Sequence, residues 1–188
     1  TVWGYNESYP GPTVTAKKGD KVRVTLHNEL PEGTTIHCHG FDAPWDQDGV
    51  DGLSQPAVAP GESWTYEFVA EASGTHMYHS HTNSMEQVQM GLFGGLVVEP
   101  KRDSGEYDKE YLYALHEIDG WYTINGKVFP ATMAEDMMEA EEGDRILLRM
   151  YNVGQVNHPM HLHGHQFEVV AIDGNNLQFP FRQNTYDI

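Results

Sequence analysis

The stretch NHPMHLHGHQF, residues 157–167, holds four histidines within eight positions: His158, His161, His163 and His165. Neutral imidazole is the commonest nitrogen ligand for metal ions in proteins. Ordinary surfaces and cores do not concentrate histidines in this way. The stretch therefore predicts a metal site and raises the question of where its partners lie.

Three histidine pairs share a spacing of two residues: His37 with His39, His79 with His81, and His161 with His163. Residues i and i+2 of a strand point to the same face, so each pair would aim two imidazoles in one direction. Six imidazoles exceed the four ligands that a structural zinc ion takes. Nitrogen ligands bind divalent metals in an order that peaks at Cu(II), so the pattern predicts a site for several copper ions.

Strands must position these pairs, and alternating apolar runs between turn residues indicate where the strands lie. The runs are KVRVTL, WTYEFV, GLVVEP, RILLRM and FEVVAI, and they predict an all-β sandwich or barrel. The segment ATMAEDMMEAEE at 131–142 has a helix-forming composition. We interpret it mainly as the approach to a strand, with at most one helical turn.

The pattern also repeats within the chain. AKKGDKVRVTLHN at 16–28 aligns with AEEGDRILLRMYN at 140–152 at a constant offset of 124 residues. The same offset places the first histidine pair on the third. An internal duplication is the natural interpretation, and it suggests a metal site between two similar domains.

The duplication sets the expected domain organisation. We predict a first domain at residues 1–100, a polar linker at 101–110 and a second domain at 111–188. Counterparts of the second histidine pair would fall at positions 203 and 205, beyond Ile188. The second domain is therefore expected to be incomplete.

Composition narrows the classes of partner. The chain has 28 acidic and 11 basic residues and a formal charge of -17, which disfavours nucleic acid and anionic membranes and suits an extracellular setting. No apolar run approaches the roughly 18 residues of a membrane span. The single cysteine, Cys38, cannot form an internal disulfide, so it leaves the redox compartment open. The opening residues, TVWGYN, lack the charged and apolar segments of an export signal, so we expect any such signal to be absent from this chain already.

Three stretches, TTIHCHGFDAPWDQDG, GTHMYHSH and HPMHLHGH, resemble three of the four copper-binding motifs of the multicopper oxidases. The chain resembles the laccase-like, two-domain type, and its C-terminal part is expected to be incomplete. The resemblance implies two cupredoxin-like Greek-key β-sandwich domains. It also implies one-electron oxidation of a phenolic or metal-ion substrate, coupled to four-electron reduction of O₂ to water at a trinuclear copper cluster.

The resemblance also implies roles for single residues. The type 2 copper ligands would be His37 and His161, and the type 1 copper ligand would be His158. The type 3 ligands would be His39, His79, His81 and His163. Asp48 matches an acidic position that relays protons to reduced oxygen, although an Asp-Gly pair is also a common turn. His165 is not a ligand in the family pattern.

The fourth family motif, a cysteine flanked by histidines, has no match in the second copy. Cys38 lies between two histidines, but no second histidine or weak axial ligand follows it, and alternation turns it away from its neighbours. We therefore expect Cys38 to be a small buried hydrophobe. Ser80 stands where related two-domain oxidases carry the cysteine. A type 1 copper is thus expected only if the missing motif is supplied.

The resemblance further implies a homotrimer with copper clusters at subunit interfaces, O₂ and a small reducing substrate as partners, and a secreted or periplasmic location. Two alternatives remain open. One is a two-domain copper nitrite reductase, which the full set of three histidine pairs disfavours. The other is a non-catalytic copper-binding module, which the missing thiolate motif favours.

Overall fold

A computed structural model of the chain describes residues 2–101, 107–135 and 137–188. The chain divides into two compact units, residues 1–101 and 102–188, called unit 1 and unit 2 below. Half of the predicted linker, residues 102–106, lies outside the described residues. The first strand of unit 2 begins at Lys109, inside the predicted linker.

Unit 1 contains six strands and one helix. Strands β1 to β6 are Gly11–Lys17, Lys21–His27, His37–His39, Ser63–Val69, Gly74–His79 and Phe93–Glu99. A single turn of 3₁₀ helix spans Trp45–Gln47, and helix α1 spans Ser84–Met90. Gly91 caps the C-terminus of α1 with a φ of 118°. A Cβ at this position would collide with the Trp3 carbonyl oxygen, so the cap requires glycine.

The strands of unit 1 form two sheets around one core. Four strands lie in the order β1-β6-β5-β3, with β1 parallel to β6, and β2 pairs antiparallel with β4. Leu26 and Phe68 from the second sheet share a hydrophobic cluster with Cys38, Tyr78 and Leu96 from the first. Burial of this apolar surface stabilises the sandwich by about 25 cal/mol per Å².

The described residues of unit 2 form seven strands and one short helix. Strands β7 to β13 are Lys109–Ile118, Trp121–Ile124, Ile146–Asn152, Pro159–His161, Phe167–Ile172, Asn175–Gln183 and Thr185–Asp187. Helix α2 spans Ala131–Glu135. Three strands form a sheet in the order β8-β7-β9, with β7 parallel to β9, while β11 pairs with β12 and β10 with β13.

The all-β prediction is confirmed, because strands dominate both units and the helices are short. Each of the five predicted apolar runs overlaps a strand. The 131–142 segment behaves as expected, since α2 is little more than one turn and β9 follows it. Within the described part of the chain, no helix is long and apolar enough to cross a membrane.

Candidate metal site

The first two histidine pairs meet on neighbouring strands of unit 1. Strand β3 pairs antiparallel with β5, and the register places His37 directly opposite His79. His39 lies two residues along β3 and shares the face of His37. As a result, one ligand atom from each of His37, His39 and His79 lies within 4.8 Å of the other two.

His81 completes a group of four imidazoles in unit 1. Its ring centroid lies 5.2 Å from that of His37 and 6.1 Å from that of His79. The rings of His37 and His79 are 5.3 Å apart, and those of His39 and His79 are 5.4 Å apart. The structure therefore brings together the four ligands that the sequence predicts in this unit.

Backbone carbonyls determine which ring nitrogen faces the group. Nδ1 of His37 donates to the Asp48 carbonyl oxygen at 2.7 Å, and Nδ1 of His79 donates to the Ser80 carbonyl oxygen at 2.8 Å. A carbonyl oxygen only accepts, so the proton of each neutral ring must sit on Nδ1 and Nε2 carries the lone pair. A ring with its protonated nitrogen bonded to the protein and its unprotonated nitrogen directed at the site is typical of metal-binding histidines. Nε2 of His79 lies 3.2 Å from Nδ1 of His39.

His79 is held in the form that binds a metal. Its pKa is lowered from 6.5 to about 4, mainly by burial, and the neighbouring imidazoles of His37, His39 and His81 contribute in the same direction. The Ser80 carbonyl opposes the shift only in part. His79 is therefore neutral at physiological pH and can bind a metal without first losing a proton.

Asp48 lies beside the ring of His37. Its carboxylate Oδ1 is 3.3 Å from His37 Nδ1. In the chain, Asp48 directly follows the 3₁₀ turn. Gly49 comes next with a φ of 74°, and a Cβ there would collide with the Ile36 carbonyl oxygen. Asp48 thus belongs to a tight Asp-Gly turn and also contacts the histidine group.

Cys38 is buried, as predicted. Its side chain belongs to the core cluster of unit 1 and points away from the faces of His37 and His39. Burial raises the pKa of its thiol to about 12, and the nearby charge of Asp48 contributes in the same direction. The group remains a thiol at neutral pH, which is a poor metal ligand.

The third histidine pair lies in unit 2 on a more open support. The rings of His161 and His163 are 5.2 Å apart, and both residues are exposed. Nδ1 of His161 donates to the Asn184 carbonyl oxygen at 2.6 Å, and Thr185 Oγ1 lies 3.2 Å away. His165 is also exposed and belongs to neither strand nor helix.

His158 is buried and held from behind by a carboxylate that sequence analysis did not identify. Its Nε2 lies 2.5 Å from Glu117 Oε1, and Tyr122 packs edge-on against its ring. The other oxygen of Glu117 accepts the backbone N–H of Gln155 at 2.7 Å. With Nε2 so occupied, Nδ1 is the nitrogen of His158 that can bind a metal.

Glu117 lies 41 residues before His158 in sequence. Gln87 of unit 1 is buried and bonds both to Ser80, seven residues before it, and to Thr34 on a distant segment. Neither position has a distinguishing spacing or motif, so only the folded structure reveals these contacts.

Two family models match the chain. Residues 1–103 match one multicopper oxidase domain and residues 106–188 match another. L-ascorbate oxidase from Cucumis sativus is 42% identical over 128 residues, which cover 64% of this chain and 21% of that protein. Copper resistance protein A from Pseudomonas syringae pv. tomato is 40% identical over 116 residues, which cover 61% of this chain and 19% of that protein.

Solved structures are similar along the whole chain. The blue copper oxidase from Nitrosomonas europaea superposes with a TM-score of 0.94 at 34% identity, covering 100% of this chain and 65% of that one. The laccase from Botrytis aclada gives a TM-score of 0.85 at 28% identity, covering 97% of this chain and 40% of that one. The chain spans about a fifth of the length of the relatives named above and less than two thirds of these two structures.

Proposed function

Because the chain belongs to the multicopper oxidase family, we propose that it acts in a laccase-like oxidoreductase that couples one-electron oxidation of a phenolic or metal-ion substrate to four-electron reduction of O₂ to water. Family membership implies copper as the cofactor. The observation that carries the proposal is the close approach of His37, His39 and His79 in unit 1.

The donor set of unit 1 fits copper. Nε2 is the unprotonated ring nitrogen of both His37 and His79, and that of His79 lies 3.2 Å from Nδ1 of His39. The low pKa of His79 keeps its ring neutral. Imidazole nitrogen is a preferred ligand of copper ions. When bound, copper would supply the electron transfer and Lewis acidity that O₂ reduction requires.

We assign the ligands of a trinuclear cluster by the motifs that carry the family resemblance. His37 and His161 would hold the type 2 copper, and His158 would be one ligand of the type 1 copper. The type 3 ligands would be His39, His79, His81 and His163. Hydrogen bonds to the second ring nitrogen would orient four of these imidazoles, those of His37, His79, His158 and His161.

Asp48 would carry protons to the site. Reduction of O₂ to water consumes four protons for each O₂, and a carboxylate is a suitable relay. The contact of its Oδ1 with His37 Nδ1 at 3.3 Å supports this role, because it places the carboxylate at the edge of the histidine group.

The finer organisation is also part of the proposal. We propose domains at residues 1–100 and 111–188, a homotrimer with copper clusters at subunit interfaces, and a secreted or periplasmic location. The internal duplication supports the trimer, because two similar domains joined head to tail can close into a ring. The charge of -17 is compatible with export.

The proposal is tested by copper content and oxygen uptake. A copper-loaded protein that contains this chain together with the cysteine motif of the family should consume O₂ with a phenolic donor, and His39→Ala should abolish uptake and lower bound copper. His27→Ala is the matched control, because His27 is exposed and bonds to Ser63 on the opposite strand. Nitrite reduction without O₂ uptake would instead identify a nitrite reductase. Bound copper with neither reaction would identify a non-catalytic copper module.

A further inference from the structure

Behind the His79–His81 segment lies a buried polar cluster, formed by Thr34, Ser80 and Gln87. Gln87 projects from helix α1 and is fully buried, as is Ser80, and Thr34 is nearly so. Such groups are costly to bury unless their hydrogen bonds are made, so the bonds of this cluster define its geometry.

The Gln87 side-chain amide makes all four of the hydrogen bonds available to it. Its Oε1 accepts from Ser80 Oγ at 2.5 Å and from Thr34 Oγ1 at 2.8 Å. Its Nε2 donates to Glu32 Oε1 at 2.6 Å and to the Gly33 carbonyl oxygen at 2.9 Å. Reversing the amide would place its NH₂ group against hydroxyls and its oxygen against two acceptors, so one orientation is fixed.

The fixed amide in turn determines the conformation of Ser80. Because the Ser80 hydroxyl donates to Gln87, its oxygen accepts the backbone N–H of Thr82 at 3.2 Å. The carbonyl oxygen of Ser80 accepts a hydrogen bond from Nδ1 of His79 at 2.8 Å. The Ser80 side chain and carbonyl are thus held together, and the carbonyl decides which nitrogen of His79 faces the histidine group.

We infer that Gln87 is a positioning residue for His79, acting through Ser80 to keep Nε2 of that imidazole directed at the metal. The inference rests on the proposed function, in which His79 is a copper ligand. Helix α1 then serves as the support of the site, and its Gln87 acts without contacting copper.

The test uses the metal-free full-length chain and Cu(I) alone as the probe. Gln87→Met keeps the length of the side chain and removes every hydrogen bond of the amide. We expect Cu(I) affinity, measured by competition with a chromogenic chelator, to fall about tenfold, within the range for loss of a residue that orients a ligand. Gln89→Met on the same helix is the matched control and should leave the affinity unchanged.

A second variant separates positioning from general stability. Thr34→Val removes a buried hydroxyl that donates to Gln87 but leaves the bond between Gln87 and Ser80 in place. It should keep most of the Cu(I) affinity. If Gln87→Met does not fold, Ser80→Ala removes only one hydroxyl and should still lower the affinity.

A second measurement does not depend on copper. Long-range ¹H–¹⁵N NMR of the metal-free chain should show the Nδ1-protonated tautomer of His79 in the native protein and in Gln89→Met. Gln87→Met should give a mixture of tautomers. An unchanged tautomer together with unchanged Cu(I) affinity would overturn the inference. Equal Cu(I) affinity of the native protein and His79→Ala would instead overturn the proposed ligand role and leave the tautomer result standing.

Discussion

The histidine groups of units 1 and 2 have the same spacing but different supports. In unit 1, β3 and β5 lie in a four-stranded sheet above a continuous core, and ligand atoms of three histidines converge within 4.8 Å. In unit 2, His161 ends a strand that pairs only with β13 among the described residues, and both His161 and His163 are exposed. The HxH spacing therefore places both histidines of a pair on one face of a strand, whereas convergence of the pairs requires a sheet held by a core.

One feature is shared by both units. His37 and His161, which the repeat offset superposes, each donate Nδ1 to a backbone carbonyl, that of Asp48 or of Asn184. The orientation of the ring is thus the same in both copies even though the surrounding sheets differ. Metal affinity should therefore differ between the units through convergence of the ligands, and not through their tautomers.

The largest expected effect is a difference between the units in metal affinity. His79→Ala should weaken Cu(I) binding by about a hundredfold or more, beyond the 10–100-fold for loss of a residue that only orients a ligand. His161→Ala should weaken the tightest site by less, because the converged set of unit 1 remains. Chelator competition measures both variants, and equal losses would show that the units do not differ in this way.

Asp48 provides the next test, because the carboxylate beside His37 has only a hydroxyl, that of Thr185, as its counterpart beside His161. In a copper-loaded protein that also carries the cysteine motif, Asp48→Asn should leave copper content unchanged and lower oxygen turnover by about a hundredfold or more, the scale of general acid–base catalysis. Thr185→Val should lower turnover much less. If the two variants lowered the steady-state rate of oxygen uptake by similar factors, the result would argue against a proton relay specific to Asp48.

The ring of His158 is held by a side-chain carboxylate, that of Glu117, whereas the ring of His79 is held by the backbone carbonyl of Ser80. Glu117→Ala would leave the buried Nε2–H of His158 and the Gln155 N–H without their acceptor. Unfolding free energy should fall by about 1–3 kcal/mol, the usual cost of an unsatisfied buried group. Glu110→Ala is the control, because Glu110 lies on the same strand as Glu117, β7, and forms an ion pair with Arg149 on β9. Its loss should cost less than about 1 kcal/mol.

Hydrogen exchange of the Gln155 amide would locate the Glu117 effect. It should accelerate in Glu117→Ala and stay slow in Glu110→Ala. Unchanged protection in both variants would mean that the carboxylate does not hold the segment before His158.

Acid should destabilise metal-free unit 1 through His79. Its folded pKa of about 4 lies below the unfolded value of 6.5, so the unfolded chain takes up a proton that the folded chain does not. Stability is therefore lost as pH falls from about 6.5 to 4 and levels off below that. Between pH 7 and 5 the loss from this residue should be at most about 2 kcal/mol.

The pKa values of His76 in unit 1 and His116 in unit 2 are also lowered, mainly by burial. Both units should therefore lose stability in acid, with unit 1 losing more. Urea unfolding at the two pH values measures the total, and the variant His79→Phe should flatten the dependence. Any pH dependence of the unfolding free energy that remains in His79→Phe would come from His76 and His116.

Much of this arrangement was predictable from local patterns. Alternation located the strands, the i, i+2 spacing identified the histidine pairs, and the same alternation turned Cys38 into the core. The pairing of His37 with His79 was not predictable, because it depends on the register of β3 on β5. Gln87 and Glu117 were missed for a related reason. Gln87 meets Thr34, and Glu117 meets His158, across long separations in sequence, and neither contact leaves a local periodicity.

The use of main-chain carbonyls behind His37, His79 and His161 has a consequence for mutational tolerance. A codon change replaces a side chain but leaves the peptide carbonyl, so no substitution at Asp48, Ser80 or Asn184 can delete the acceptor directly. Only changes that move the backbone can do so, such as those at Gly49. Random mutagenesis of this site should therefore find its intolerant positions at residues that shape the chain path, as well as at the histidines themselves.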